Sequence, residues 1–75
     1  MEVFPRITIE PGKCDGKACV RGLRITVEHV LAMLAEGMNA DQIVAEWPML
    51  EREDIRAALN YAAHLAGERN LPPAA

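Results

Sequence analysis

The stretch that decides the fold runs from residue 25 to residue 67, ITVEHVLAMLAEGMNADQIVAEWPMLEREDIRAALNYAAHLAG. It divides into three helices, each with the same start. Thr26 is placed to cap the first, with Ile25 before it and Val30 after it. Asn39 is placed to cap the second, with Met38 before it and Ile43 after it. Glu51 opens the third between Leu50 and Ile55. Each flanking pair has the spacing of a hydrophobic staple, and Asn39 with Gln42 has the spacing of a capping box. Glu51 is a weaker cap than Ser, Thr or Asp, although its charge, with those of Glu53 and Asp54, suits a helix N-terminus.

The apolar positions agree with these divisions. Val27, Val30, Leu31 and Leu34 follow the i, i+3, i+4, i+7 rule and predict the buried face of a helix over 27–36. Gly37 then serves as its C′ residue. Ile43, Val44 and Trp47 predict a short helix over 40–47 that Pro48 stops. Ile55, Ala58, Leu59, Ala62, Leu65 and Ala66 predict a third helix over 52–66, with Gly67 ending it and residues 68–75 a flexible tail. The joints are tight, so the helices pack as neighbours. A three-helix unit with a short middle helix is the frame of the helix-turn-helix class.

Upstream, Ile7-Thr8-Ile9 is β-branched and predicts a strand over 7–9. Residues 10–25 read as a loop or short β-ribbon, broken by Pro11, Gly12, Gly16 and Gly22. A lone strand is unstable, so residues 7–9 pair with 19–21, with 24–25 or with a second copy of the chain. The expected class is therefore mainly α: a short N-terminal strand and loop, then a three-helix bundle, as one domain over residues 1–67.

A chain of 75 residues buries about 60% of the surface its unfolded form exposes, and such chains often gain stability from a partner. Phe4, Trp47 and Tyr61 are its only aromatic residues, so the core rests on Ile, Val, Leu, Met and Ala. Residues 1–12 carry charges and prolines where a leader would carry an apolar run, and no apolar stretch reaches the ~20 residues of a membrane span. Two cysteines make no disulfide framework. These features predict a cytoplasmic protein.

The net charge of −3 is unevenly spread. Up to residue 26, five cations (Arg6, Lys13, Lys17, Arg21 and Arg24) face three carboxylates; beyond it, three cations face eight. A mildly basic arm thus precedes an acidic helical region.

Four stretches carry a family resemblance: residues 7–17 (ITIEPGKCDGK), residues 19–27 (CVRGLRITV), residues 34–37 (LAEG) and residues 53–62 (EDIRAALNYA). In this order they resemble the small bacterial and archaeal family known as domain of unknown function 433. The resemblance implies a homeodomain-like or winged-helix-like fold and small homo-oligomers. It also implies, for some members, an antitoxin role beside a PIN-like ribonuclease toxin encoded by an adjacent gene, with repression of their own promoter. Two positions depart from the family pattern: Leu23 stands where a smaller polar residue is usual, and Glu51 where Thr or Ser is usual.

Chemistry-bearing groups are sparse. Cys14 and Cys19 with His29 and His64 fall short of a convincing zinc spacing, and the reading is two thiols packing the loop, with no metal and no cofactor. Asp15-Gly16-Lys17 reads as a turn and lacks the spacing of a phosphate loop. The chain has no serine, which excludes a serine triad, and no catalytic residues are assigned. The candidate partner or nucleic-acid contacts are Lys17, Arg21, Arg24, Arg52 and Arg56. Arg21 and Arg24 contact phosphates or an acidic partner, or pin the loop to a helix carboxylate such as Glu28 or Glu36. Glu51, Glu53 and Asp54 place three carboxylates at the start of the third helix, which opposes DNA reading there. The expected function is a non-catalytic antitoxin-like protein. The alternatives are a stand-alone DNA-binding regulator and an oligomerisation module built on the strand at 7–9.

Overall fold

The computed structural model describes residues 1–68. Three helices form as the caps require: α1 over Val27–Ala35, α2 over Ala40–Glu46 and α3 over Arg52–Glu68. Thr26 Oγ1 accepts the His29 N–H at 3.0 Å. Asn39 and Gln42 complete a reciprocal capping box, with both bonds at 2.8 Å. At the far end of α1, Gly37 takes a φ of +99°, and the Met38 and Gly37 N–H groups return to the Met33 and Leu34 carbonyls. That is a Schellman ending, which needs a residue free to enter the left-handed region. Trp47 leaves helical geometry just before Pro48.

Three short strands precede the helices: β1 (Glu2–Phe4), β2 (Ile7–Thr8) and β3 (Cys19–Val20). They form one antiparallel sheet in the order β1-β2-β3, with Ile7 opposite Val20 and Thr8 opposite Cys19. The strand expected over 7–9 is therefore present but shorter, and its partners lie within the chain. The stretch expected as a loop over 10–25 holds β3 and a 3-10 turn at Cys14–Gly16. β1 was not expected, because three residues show no usable alternation.

The core joins sheet and helices. Ile7 and Val20 meet Val27, Val30 and Met33 of α1, Ile43 of α2, and Ile55, Ala57 and Ala58 of α3, with Ile25 and Leu50 closing it. Met33 takes the buried place expected for Leu31 and Leu34, which are half-buried. Gly67 does not end α3; the helix continues to Glu68, since glycine lowers helix propensity by only about 1 kcal/mol. The tail expected over 68–75 lies, beyond Glu68, outside the described residues. No helix among the described residues is long and apolar enough to cross a membrane.

Candidate functional site

Two turns converge on the start of α3. Between β1 and β2 the chain reverses over Pro5-Arg6, where Pro presets the first turn residue and Arg6 takes a φ of +66°. After β3 it reverses over Arg21-Gly22, with φ of +45° and +72°, and the Leu23 N–H donates to the Val20 carbonyl at 2.8 Å. Positive φ at both central residues marks a primed turn, which normally selects Asn, Asp or Gly. An arginine there costs roughly 1–2 kcal/mol of backbone strain. The turns are tied together, since the Arg21 N–H donates to the Arg6 carbonyl at 2.8 Å.

Both arginines reach Asp54, which is 0% exposed. Arg21 grips it side-on, Nε at 2.9 and 3.1 Å and Nη2 at 2.9 Å, while its Nη2 also donates to the Met49 carbonyl at 2.7 Å. Arg6 Nη1 donates to Asp54 Oδ1 at 2.9 Å and to Glu51 Oε1 at 2.7 Å. The Glu51 N–H donates to Asp54 Oδ2 at 2.8 Å, so Asp54 also supplies one half of a capping box. Burial by itself raises the proton affinity of the Asp54 carboxyl. The Arg21 fork, the Glu51 N–H and Arg6 together outweigh it and hold the group below the ordinary carboxylate range. Hydrogen bonding to Asp54 in turn raises the Arg21 pKa.

This junction corrects two expectations. Asp54 is not a surface charge repelling phosphate, because it lies in phase with Ala57, Ala58 and Tyr61 on the inner face of α3. The helix carboxylate that pins Arg21 is Asp54, in place of Glu28 or Glu36. Arg6 was not singled out; the available signal was Pro5-Arg6 between Phe4 and Ile7, a proline-led turn. The strain at Arg21 gives a direct check. Arg21→Gly and Arg21→Ala lose the same side chain, but only Ala keeps the strained φ. Gly should therefore be the more stable variant by about 1 kcal/mol in denaturant unfolding. Equal midpoints would show that residue 21 is not held left-handed.

The other candidate cations lie apart from the junction. Lys17 Nζ pairs with Glu28 Oε1 at 3.1 Å, both exposed, and that hydrogen bond raises the lysine pKa. Arg52 pairs with Asp41 across α3 and α2. Arg24 and Arg56 are exposed, and neither makes an ion pair among the described residues. Cys19 is buried and its Sγ–H donates to the Lys17 carbonyl at 3.4 Å. Burial first, and the Cys14 thiol second, push its pKa up to about 11, leaving it protonated at neutral pH. Among the described residues, no group of three or more His, Cys, Asp or Glu side chains converges as a metal site would.

Two open grooves flank α3. One, of about 560 Å³, is walled by Ile9 and Ala18, by Val27 and Leu31 of α1, and by Tyr61, Ala62 and Leu65 of α3, with the Lys17–Glu28 pair at its rim. The other, of about 750 Å³, lies between α2 and α3 and holds Arg52, Glu53, Arg56, Leu59 and Asn60.

The chain belongs to the family described as Protein of unknown function (DUF433), whose model matches residues 7–62. It is 38% identical over 56 residues to the Uncharacterized protein y4eO of Sinorhizobium fredii, an alignment that covers 75% of this chain and 25% of that protein. It therefore spans about a quarter of that relative's length. Its fold is similar to the crystal structure of a DUF433 member protein from Anabaena variabilis, with a TM-score of 0.77 and 33% identity, over 84% of this chain and 62% of that one.

Proposed function

We propose that the chain is a non-catalytic, antitoxin-like binding module that neutralises a PIN-like ribonuclease encoded by an adjacent gene. The observation that carries the reading is how the polar groups are used. Asp54, Arg6 and Arg21 are engaged in holding the sheet to α3, and Cys19 bonds within its own loop, which leaves open grooves and, among the described residues, the unpaired cations Arg24 and Arg56 as the working surface. The partner class itself comes from the family resemblance. An acidic metal site on a ribonuclease is complemented by an exposed guanidinium, and Arg24 is available for that role where Arg21 is not. Co-expression with the neighbouring gene product tests the reading. A shared complex and relief of growth inhibition are expected, with Arg24→Glu weakening both. A neighbour that is harmless alone and does not co-purify would sink it.

One observation favours a second reading, a helix-turn-helix regulator binding its own promoter. Arg52, Arg56 and Asn60 recur every four residues along the exposed face of α3. Two of the three carboxylates beside them, Glu51 and Asp54, are neutralised by arginines. Arg and Asn are the side chains that read guanine and adenine edges. On this reading promoter DNA binds with a steep salt dependence, and Arg56→Ala costs about 1–3 kcal/mol of binding and relaxes the preference at the base it reads.

A further inference from the structure

The two cysteines are used neither by the arginine junction nor by the exposed cations. Cys14 opens the 3-10 turn Cys14–Gly16 and is half-buried, whereas Cys19 lies in β3 and is 2% exposed. The loop between them doubles back. The Gly16 N–H donates to the Lys13 carbonyl and the Lys17 N–H to the Cys14 carbonyl, both at 3.0 Å. The Lys17 carbonyl in turn accepts the Cys19 Sγ–H at 3.4 Å. One residue thus holds the backbone of the first cysteine and the side chain of the second. The two thiols fall within hydrogen-bonding reach of each other.

Packing accounts for a buried Cys19, but not for a second thiol set against it and half-open to solvent. Thiol–disulfide exchange needs both features: an attacking thiol that a reagent can reach, and a resolving thiol beside it. Cys14 meets the first need and Cys19 the second. Among the described residues no third His, Cys, Asp or Glu joins them as a metal site would require.

We propose that Cys14 and Cys19 form a reversible redox switch, closed to an intrachain disulfide by a small-molecule disulfide of the oxidised-glutathione class. Cys14, as its thiolate, attacks one sulfur of the oxidant. A mixed disulfide forms on Cys14, and the first small thiolate leaves and takes up a proton. Cys19 gives its proton to solvent, and its sulfur attacks Cys14 Sγ. The Cys14–Cys19 bond forms as the second small thiolate leaves. Two protein thiols are oxidised, one small disulfide is reduced to two thiols, and no other reactant enters. In a reducing compartment the pair stays open and closes only when the thiol pool is oxidised.

Closure acts on the groove between α1 and α3. A disulfide has no S–H, so the Lys17 carbonyl loses its bond from Cys19. Lys17 and Ala18 wall that groove, and Lys17 Nζ pairs with Glu28 at its rim. The Ala18 carbonyl also accepts the Val27 N–H at the start of α1, at 2.9 Å. The switch is independent of whether the protein neutralises a toxin or binds DNA.

Equilibration of the full chain in buffers of graded oxidised-to-reduced glutathione ratio, quenched in acid and read by mass spectrometry, tests it. The folded chain should lose two hydrogen atoms and retain no glutathione. Its equilibrium constant for closure should exceed that of the same chain in urea by about tenfold. Closing this six-residue loop in the unfolded chain is worth about fortyfold, and the lost Cys19–Lys17 bond takes back about fivefold. Amide shifts of Lys17, Ala18 and Glu28 should move on closure, while those of Asp54 and Ala58 stay. Cys14→Ser should show none of these changes, and Cys19→Ser should stop with one glutathione on Cys14. A folded wild type that closes no more readily than the unfolded chain, or that stops at the mixed disulfide, overturns the proposal. Closure with unmoved shifts at Lys17 and Glu28 overturns its action on the groove. The comparison of folded with unfolded wild type needs no variant, so it stands even if Cys19→Ser fails to fold.

Discussion

Asp54→Ala is expected to remove between about a quarter and three quarters of the protein's folding stability. The carboxylate is fully enclosed and takes hydrogen bonds from four nitrogens: Arg6 Nη1, Arg21 Nε, Arg21 Nη2 and the Glu51 N–H. Removing it leaves two guanidinium groups facing each other across a cavity, and two turn residues in left-handed backbone held from their side chains only by Glu51 and the Met49 carbonyl. Breaking a buried ion pair from one side costs about 3–5 kcal/mol. The arginine heads reach solvent at one edge and recover part of that, so about 3 kcal/mol is the expected loss. A chain of this length is stable by only roughly 4–11 kcal/mol. Urea unfolding followed by circular dichroism reads the loss directly, and a midpoint within error of wild type would show that the junction does not hold the sheet to α3.

The same group fixes the acid limit. The folded pKa of Asp54 is depressed, so between the folded value and the unfolded value near 3.9 the unfolded chain binds more protons and stability rises with pH. The contribution of Asp54 is complete above the unfolded value. It fades as pH falls below about 4 and through the folded pKa. Asp54→Asn keeps the shape of the side chain without its charge. The thermal midpoint of that variant should therefore vary less between pH 2 and pH 5 than that of the wild type, by the share Asp54 contributes. Parallel pH profiles would assign the acid sensitivity to other carboxylates.

The helices were legible because their signals are local. Thr26, Gly37, Asn39 with Gln42, and Pro48 each act within one turn of where they stand, and all four perform the expected task. The sheet was legible in part: the strand at 7–9, and 19–21 as one possible partner, can be read from the sequence, and the structure pairs Ile7 with Val20 and Thr8 with Cys19, but β1 cannot, because strands of two and three residues are too short to show alternation. The site failed for a different reason. Asp54 carries a charge, which by itself predicts a surface position, although residues 54, 57, 58 and 61 share one helical face. Arg21 was undecided between holding the loop and meeting a partner, since its turn uses a residue that primed turns seldom select. The penalty of that choice is offset chiefly by Asp54, thirty-three residues away, with the Met49 carbonyl beside it. No local rule contains such a pairing.

Ile43→Ala tests the other contact on which a whole element depends. α2 has seven residues, too few to be helical alone, and Ile43 is its only buried one. Its side chain is 0% exposed, enclosed by the α1 and α3 residues of the core. Truncation to Ala removes the transfer gain and leaves a cavity, a combination that costs about 2–5 kcal/mol, whereas Ile43→Val removes one methyl and costs about 0.5–1.5 kcal/mol. For a domain of this size each kcal/mol moves the thermal midpoint by about 4–8 °C. The Ala variant should therefore melt at least about 8 °C below wild type by that conversion, and the Val variant by about a third of the Ala loss. Hydrogen exchange should show α2 opening first in the Ala variant, because the Asn39–Gln42 capping box holds one end of the helix but not its seat on the core. If α2 amides keep wild-type protection, then the half-buried Val44 and Trp47, the latter packed edge-on against His29 at 5.3 Å, hold the helix in place of Ile43.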